Sequence, residues 1–261
     1  MLFLISSAES IDVKLLVEIY EARGVDHQIV RNALARLKKE GYIHSPERSR
    51  YSLTKAGMSF LTGINSKPQL LDRRWDGRWL SVLFEVPETE RKKRDAFRND
   101  LLQLGFGGLF KSVYISPWDY AAEVLRIAEH HGLADRVTVS KGEFVHGAPT
   151  PLQARQLWRL DALNETYEEQ LAWLRSEFQP DIAASQSGGT DDDGLSTFVR
   201  FLELGERMAD LSLNDPMLPE ELLEGDWLGR TCFREMQSCL NRLANAIPAS
   251  SPYRNFVSRY L

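Results

Sequence analysis

The clearest hydrophobic pattern in the chain lies within residues 25–43. Apolar side chains recur there at i, i+3, i+4 and i+7, the spacing that places residues on one side of a helix: Val30, Ala33, Leu34 and Leu37. Asp26 is a favourable N-cap, and Gly41 is a residue typical of helix C-termini. The sequence therefore predicts an amphipathic helix between these two residues.

The segments on both sides of this helix predict a familiar order of elements. The predicted elements are a helix at residues 12–23, strands at 42–44 and 51–53, and a helix at 55–61. Gly24 separates the first two helices, and a polar turn joins the two strands. Two helices, a hairpin and another helix are typical of a winged helix-turn-helix, which we predict for residues 1–67. Residues 1–7 are long enough for only a short first helix.

The polar side of the predicted helix carries long hydrogen-bond donors and cations. Arg pairs with guanine O6 and N7 in the major groove, and Asn or Gln pairs with adenine N6 and N7. Arginines in the hairpin turn would contact the DNA backbone or the minor groove. The candidate DNA-contacting residues are His27, Gln28, Arg31, Asn32, Arg36, Lys39, Arg48 and Arg50. A solvated surface helix often has the same composition, and Arg31 would alternatively brace the domain by bonding a carbonyl group.

Charge is distributed unevenly along the chain. Residues 24–67 contain eight cations and three anions, a net charge of +5, whereas the whole chain carries −5 and the remainder therefore −10. A small basic segment on an acidic body is expected when one domain contacts phosphates and the others do not. This distribution favours double-stranded DNA as a partner of the N-terminal domain.

Strands and helices alternate in the middle of the chain. The predicted elements are strand 79–86, helix 88–104, strand 112–116, helix 119–131 and strand-like segments at 137–140 and 143–145, with a break at 105–108. This order predicts a ferredoxin-like α+β domain over residues 68–148. Glu85 ends the first strand, where a nuclease could hold a metal ligand, but no second carboxylate has suitable spacing. We therefore predict no metal site.

Residues 149–261 predict a helical C-terminal domain, which completes a multidomain α+β fold. The predicted elements are helices 154–178, 196–211 and 229–247, with a small, polar and acidic loop at 183–194. Cys232 and Cys239 lie seven residues apart on one helix face, which favours buried thiols over a zinc site or a disulfide framework. No set of nucleophile, base and orienting residue is recognisable, so we predict no catalytic residues and no enzyme activity.

The chain has no sequence feature of a membrane or secreted protein. No apolar run approaches the roughly 18 residues of a membrane span. The opening MLFLI is too short for a signal peptide and lacks a cationic start. We expect a cytoplasmic protein without a membrane partner.

Four blocks of sequence carry a family resemblance. They are VDHQIVRNALARLKKEGYI at residues 25–43, WDGRWLSVLFEVPETERKKRDAFRNDLLQLGFGGLFKSVYISP at 75–117, LNETYEEQL at 163–171 and NDPMLPEELLEGDWLG at 214–229. These blocks resemble the PaaX-type repressors, regulators of phenylacetic acid degradation operons. The last three blocks are the more specific ones, because many families share a helix-turn-helix.

The resemblance implies a dimeric repressor that an aryl-acyl-CoA such as phenylacetyl-CoA releases from its operator, without any further cofactor. It also implies a middle domain with the ferredoxin-like fold of a CRISPR-associated nuclease. The sequence departs from the family in a shorter N-terminus and in Glu85, where Asp is usual, which weakens a nuclease interpretation. A homodimer is also favoured on physical grounds, because one winged helix buries only about 600–1,000 Å² on DNA.

A CoA thioester requires cations for its phosphates and an apolar slot for its acyl group. The corner at residues 75–79 offers both, and the candidate ligand-binding residues are Arg73, Arg74, Trp75, Arg78 and Lys111. Alternatively, Trp75 and Trp79 are core or interface anchors. Two other functions stay open at this point: a metal-dependent nuclease that uses the middle domain, and an effector-independent DNA-binding adaptor whose C-terminal helices recruit another protein.

Overall fold

A computed structural model describes residues 1–182 and 193–261, without the side chains of residues 63–66. The described residues form a mixed α+β protein that divides into two compact units. The first unit comprises residues 1–66, 170–209 and 231–261, and the second comprises residues 67–169 and 210–230. The predicted loop at residues 183–194 falls almost wholly outside the described residues. The division into three sequence domains, 1–67, 68–148 and 149–261, stays a prediction.

The N-terminal part of the first unit combines short strands with helices. The elements are α1 (Leu2–Ser6), β1 (Ile11–Asp12), α2 (Val13–Glu21), α3 (His27–Lys39), β2 (Ile43–His44), β3 (Arg50–Leu53) and α4 (Lys55–Ser66). The strands form an antiparallel sheet in the order β1-β3-β2. The predicted helix at residues 12–23 begins one residue late, because Ile11 and Asp12 pair with β3 and the carboxylate of Asp12 then caps α2. The winged helix-turn-helix assignment stays a prediction.

Helix α3 forms as its sequence pattern predicts. The Asp26 carboxylate accepts a hydrogen bond from the backbone N–H of Gln28 at 2.7 Å, which satisfies one free donor at the helix start. Val30 and Leu34 are each only 1% exposed, so the apolar stripe is buried against the rest of the unit. The polar side of α3 therefore faces outward.

C-terminal helices pack with the N-terminal elements in the first unit. The helices are α9 (Leu195–Asn214), of which residues 195–209 belong to this unit, and α10 (Gly229–Ala246), of which residues 231–246 belong to it. The Arg23 guanidinium donates to both carboxylate oxygens of Glu206, at 2.9 and 2.5 Å. The Tyr253 hydroxyl donates to Glu18 at 2.6 Å, and the rings of Phe3 and Phe201 are in contact. Side chains distant in sequence thus hold α1 and α2 in place.

The two cysteines are buried on α10, as the sequence predicts. Cys232 and Cys239 are both free thiols and are 0% and 1% exposed. Burial raises the pKa of the Cys232 thiol to about 12, so this thiol stays protonated at neutral pH. Both side chains therefore serve as small core residues, together with Met236 and Leu243.

The second unit is built on a four-stranded antiparallel sheet in the order β5-β6-β4-β7. Its elements are β4 (Trp79–Phe84), α5 (Arg91–Leu104), β5 (Gly107–Phe110), β6 (Val113–Ser116), α6 (Ala121–His130) and β7 (Val137–Gly142). Leu80, Val82 and Phe84 pack on one face of β4 with α5 and α6, and Trp79 packs on the other. The second face of β4 is buried only at Trp79, because Leu83 on that face is 41% exposed, so the strand is not fully buried as its apolar run predicts. The ferredoxin-like assignment stays a prediction.

Two parts of this unit differ from the predicted elements. The predicted break after α5 is confirmed, because Gly105 ends the helix with a φ of 101°, but Gly107 and Gly108 already belong to β5, a strand that the sequence did not predict. Residues 143–145 are not a strand; all of β7 pairs with β4 and ends at Gly142. The β5 segment escaped prediction because two glycines occupy positions where strands usually carry large side chains.

The single long helix predicted at residues 154–178 is interrupted. It is replaced by α7 (Pro151–Leu157), α8 (Leu160–Trp173) and a π-helical turn at Leu174–Phe178. Arg159 separates α7 from α8 and has a φ of 52°, a conformation that is uncommon for residues other than glycine. The indole N–H of Trp158 donates to the carbonyl of Gly105 at 2.9 Å. This tertiary contact fixes the chain at the point where a regular helix stops.

None of the helices in the described ranges combines the length and the apolar character required to cross a bilayer.

Candidate nucleic-acid interface and ligand groove

The outward side of α3 presents most of the predicted DNA-contacting residues together. His27, Gln28, Arg31, Asn32, Arg36 and Lys39 are all exposed. The side-chain amide of Gln28 donates to the amide oxygen of Asn32 at 3.1 Å, one helical turn away. This pairing leaves the oxygen of Gln28 and the NH₂ group of Asn32 available, so the surface offers an acceptor and a donor side by side.

The alternative role of Arg31 as a brace has no support in the hydrogen bonding. Among the described residues, no hydrogen bond or ion pair involves the Arg31 guanidinium, and its side chain is exposed. The same side of the helix also carries Ile29, which is 60% exposed and was not among the predicted contact residues. An exposed β-branched apolar residue among amides and cations is a signal that helical spacing alone could have found.

The two arginines of the β2–β3 hairpin have different surroundings. Arg48 is exposed in the turn, beside Ser49 with its φ of 62°. Arg50 is half-buried, and its guanidinium donates to the hydroxyl and the carbonyl of Ser10 at 2.8 and 2.9 Å. Arg50 thus holds β1 beside β3, whereas Arg48 is the hairpin cation that projects into solvent.

The corner at residues 75–79 is largely occupied by its own contacts. Trp79 is buried and packs against Trp75 with ring centroids 5.0 Å apart, as the core-anchor alternative predicts. The guanidinium of Arg78 donates to the carbonyl of Lys141, and the ammonium of Lys141 pairs with Asp76 at 3.1 Å. Two acidic groups, Asp76 and Asp119, lie next to this lysine, which makes the corner unfavourable for phosphates.

The predicted ligand-binding cations do not converge on that corner. Lys111 lies beyond the far end of β4, near Glu88, because Phe84 and not Trp79 is bonded to the β5–β6 turn. The length of a six-residue strand, about 17 Å, separates the two ends. Arg73 stacks over the ring of Trp118, and Arg74 is exposed. The expectation that Lys111 joins the corner was therefore wrong.

A groove in the second unit was missed by the sequence analysis. It has a volume of about 900 Å³ and lies between α5, β5 and the α7–α8 break. Its charged lining residues are Arg98 and Arg159, and no acidic residue is among the described residues that line it. Trp158, Tyr114 and the 68% exposed ring of Phe110 supply apolar surface. A groove with two cations and several aromatic rings suits an anionic ligand with an apolar part.

Glu85, the candidate metal ligand of the nuclease alternative, lies at an exposed position just after β4. Within the described part of the chain, no three His, Cys, Asp or Glu side chains are grouped as metal ligands.

Comparisons with known proteins cover nearly the whole chain. Three family profiles match in order: "PaaX-like protein" over residues 3–57, "PaaX protein central Cas2-like domain" over residues 72–154 and "PaaX-like protein C-terminal domain" over residues 158–250. The transcriptional repressor PaaX of Escherichia coli is 29% identical over 242 residues, which cover 90% of this chain and 74% of that protein.

A solved structure of an uncharacterized protein from Mycobacterium tuberculosis has a similar fold. The TM-score is 0.54 at 23% sequence identity, with 90% of each chain covered. The three profiles, their order along the chain and the Escherichia coli relative agree on one assignment. The protein belongs to the PaaX family.

Proposed function

We propose that this protein is a DNA-binding transcriptional repressor, without enzyme activity, that reads its operator with α3. The observation that carries the proposal is the outward side of this helix, where the paired amides of Gln28 and Asn32 lie with exposed cations. Membership of a family that contains the transcriptional repressor PaaX of Escherichia coli supports the same function.

The chemistry of α3 suits the major groove of DNA. The amide pair presents the acceptor and donor that adenine N6 and N7 require, and Arg36 matches guanine O6 and N7. Arg31 and Lys39 on α3, and Arg48 in the hairpin, would contact phosphates and fix the helix in register. Arg50 acts indirectly, because its guanidinium already bonds Ser10.

The operator is proposed to be a palindrome bound by a homodimer. Two reading helices must then lie about 34–36 Å apart to enter successive major grooves. Sedimentation of the protein alone and with DNA tests this point. One dimer for each DNA molecule is expected, and a monomer on each independent site would contradict the proposal.

Alanine substitutions on α3 test the DNA-binding proposal directly. A random DNA pool is first selected with the wild-type protein, and binding of the selected site is measured by fluorescence anisotropy. Gln28→Ala and Arg36→Ala should each lose most of the preference for the selected site over random DNA, since each removes about 1–3 kcal/mol of base discrimination. The folded state should be unaffected, because both side chains are exposed.

Gln237→Ala is a matched control for Gln28→Ala. Gln237 lies on α10 in the same unit and donates to Asn241 at 2.8 Å, the same i to i+4 amide pair that Gln28 and Asn32 make. This variant should bind the selected site as the wild type does. Wild-type preference in Gln28→Ala and Arg36→Ala would contradict the assignment of α3.

We further propose that an aryl-acyl-CoA, such as phenylacetyl-CoA, releases the repressor from DNA by binding in the groove. The volume of the groove, its aromatic rings and the lack of acidic side chains among its described lining residues favour this place. The originally predicted residues Arg73, Arg74, Trp75 and Arg78 remain a second candidate location, with the neighbouring carboxylates of Asp76 and Asp119 against it. Titration of the DNA complex with phenylacetyl-CoA tests the release.

A further inference from the structure

Ile29 is an apolar side chain at the edge of the polar side of α3, next to Asn32 and Arg36 around the helix. It is 60% exposed, whereas the next residue, Val30, is 1% exposed and belongs to the core. The neighbours of Ile29 on the outward side are Gln28 and Asn32. Single exposed apolar residues are common on protein surfaces, so exposure alone indicates nothing. The position of Ile29 among the groups that would read bases is the informative feature.

Helical geometry aligns Ile29 with two of the proposed reading residues. At 3.6 residues per turn, Asn32 is rotated by about 60° from Ile29 and Arg36 by about 20°. The three side chains therefore form one line along the outward side of α3. In that line Ile29 contributes a stiff apolar surface, because β-branching restricts its side-chain rotation.

We propose that Ile29 contacts the 5-methyl group of a thymine. This contact makes Ile29 a specificity-determining residue. This inference rests on the proposed function, in which α3 enters the major groove. Thymine is the base that presents a methyl group there, and apolar side chains recognise it by contact. Ile29 is the next residue after Gln28 on the helix. The thymine is therefore expected next to the base pair read by Gln28 and Asn32.

The methyl group of thymine can be removed from the DNA to test this contact. Deoxyuridine differs from thymidine by this methyl group, and replacing each thymine of the selected site in turn scans all of them. Wild-type protein should lose about three- to tenfold in affinity at one position, the loss expected for one buried methyl group or slightly more. Ile29→Ala should bind the unmodified site correspondingly less tightly and be insensitive to deoxyuridine at that position.

Met58→Ala provides the matched control. Met58 is another exposed apolar residue of the same unit, 50% exposed on α4. The Met58→Ala variant should bind the site with wild-type affinity and keep the sensitivity of the wild type to deoxyuridine. Ile29→Val, which keeps a branched apolar surface, should retain part of the sensitivity.

The possible failures are distinguishable. Equal sensitivity of Ile29→Ala and wild type at every thymine, or a selected site in which no thymine methyl group affects binding, overturns the role of Ile29. Either result leaves the proposed function intact if Gln28→Ala and Arg36→Ala still lose site preference. Failure of the wild-type protein to select any sequence overturns the proposed function, and the role of Ile29 falls with it.

Discussion

Asp215 holds the chain after α9 through a completely buried carboxylate. One carboxylate oxygen accepts a hydrogen bond from the Tyr167 hydroxyl, and the other accepts from the backbone N–H of Met217 at 2.5 Å. Burial raises the pKa of Asp215 above its usual 3.8. The Lys67 ammonium donates to the carbonyl of Asp215 and to two other carbonyls, while burial lowers the pKa of Lys67. This network ties residue 67 to the end of α9.

Removal of the Asp215 carboxylate should destabilise the protein. Asp215→Ala leaves two buried donors without their acceptors and should lower the free energy of unfolding by about 2–4 kcal/mol. Asp215→Asn should lose less, because an amide can accept from Met217 and donate to the oxygen of Tyr167. Urea denaturation compares the three proteins. Equal stability of Asp215→Ala and wild type would contradict the structural role of the carboxylate.

The raised pKa of Asp215 determines the direction in which the free energy of unfolding changes with pH, and Asp215→Asn tests that direction. The folded carboxyl has a raised pKa and therefore holds its proton more firmly than the unfolded one. Its contribution to stability is fully present below the usual pKa of 3.8 and is lost as the pH rises through the folded pKa. The stability difference between wild type and Asp215→Asn should thus shift against the wild type as the pH increases. A shift in the opposite direction would mean that the pKa of the folded carboxyl lies below that of the unfolded one.

Local sequence patterns predict the helices and strands whose buried residues recur periodically. They miss the elements that are fixed by contacts between residues distant in sequence. Helix α3 and strand β4 follow from apolar spacing alone. Strand β5 and the break at Arg159 do not, because Trp158 packs on Gly107 of β5 and donates to the carbonyl of Gly105, both more than fifty residues away in sequence. No turn residue marks this break, so nothing in the local sequence could have revealed it.

Gly107 should be intolerant of even the smallest side chain. A Cβ atom at this position would lie 2.7 Å from the Trp158 ring, so Gly107→Ala must displace the indole. We expect a loss of about 1–3 kcal/mol in unfolding free energy, as for other overpacked sites. Gly108→Ala is the control, because its Cβ would meet Tyr114 at an ordinary 3.4 Å. Thermal denaturation of both variants tests this prediction. Similar midpoints for Gly107→Ala and Gly108→Ala would contradict the role of Trp158.

For the whole molecule, the sequence predicted the family and the polar side of α3 but not the groove of the second unit. The reading residues lie within one helix, so their spacing in sequence is their spacing in space. The groove is lined by residues that range from Arg98 to Pro216, and only the folded second unit brings them together. The arginines at and before the corner at residues 75–79 are close together in sequence, but only the fold brings the carbonyl of Lys141 to Arg78 and the carboxylate of Asp119 to Lys141.

Release from DNA by an acyl-CoA requires the ligand to bind the DNA-free protein more tightly than the DNA complex. By linkage, saturating DNA must then weaken ligand binding by the same factor by which saturating ligand weakens DNA binding, typically about 5–150-fold. Anisotropy titrations of the selected site with and without phenylacetyl-CoA measure one factor, and calorimetric titrations of the ligand with and without DNA measure the other.

Charge-removing variants then locate the ligand. Arg98→Gln and Arg159→Gln should lose the response to phenylacetyl-CoA and keep the DNA affinity of the wild type, because both arginines line the groove of the second unit and α3 belongs to the first. Arg78→Gln at the corner should respond normally, since its guanidinium is bonded to the carbonyl of Lys141. Loss of the response in Arg78→Gln alone would assign the ligand to the corner. A ligand that binds the DNA-free protein and the DNA complex equally cannot shift the equilibrium between them. If phenylacetyl-CoA does not weaken DNA binding by the wild-type protein, the protein is a repressor or adaptor without this effector.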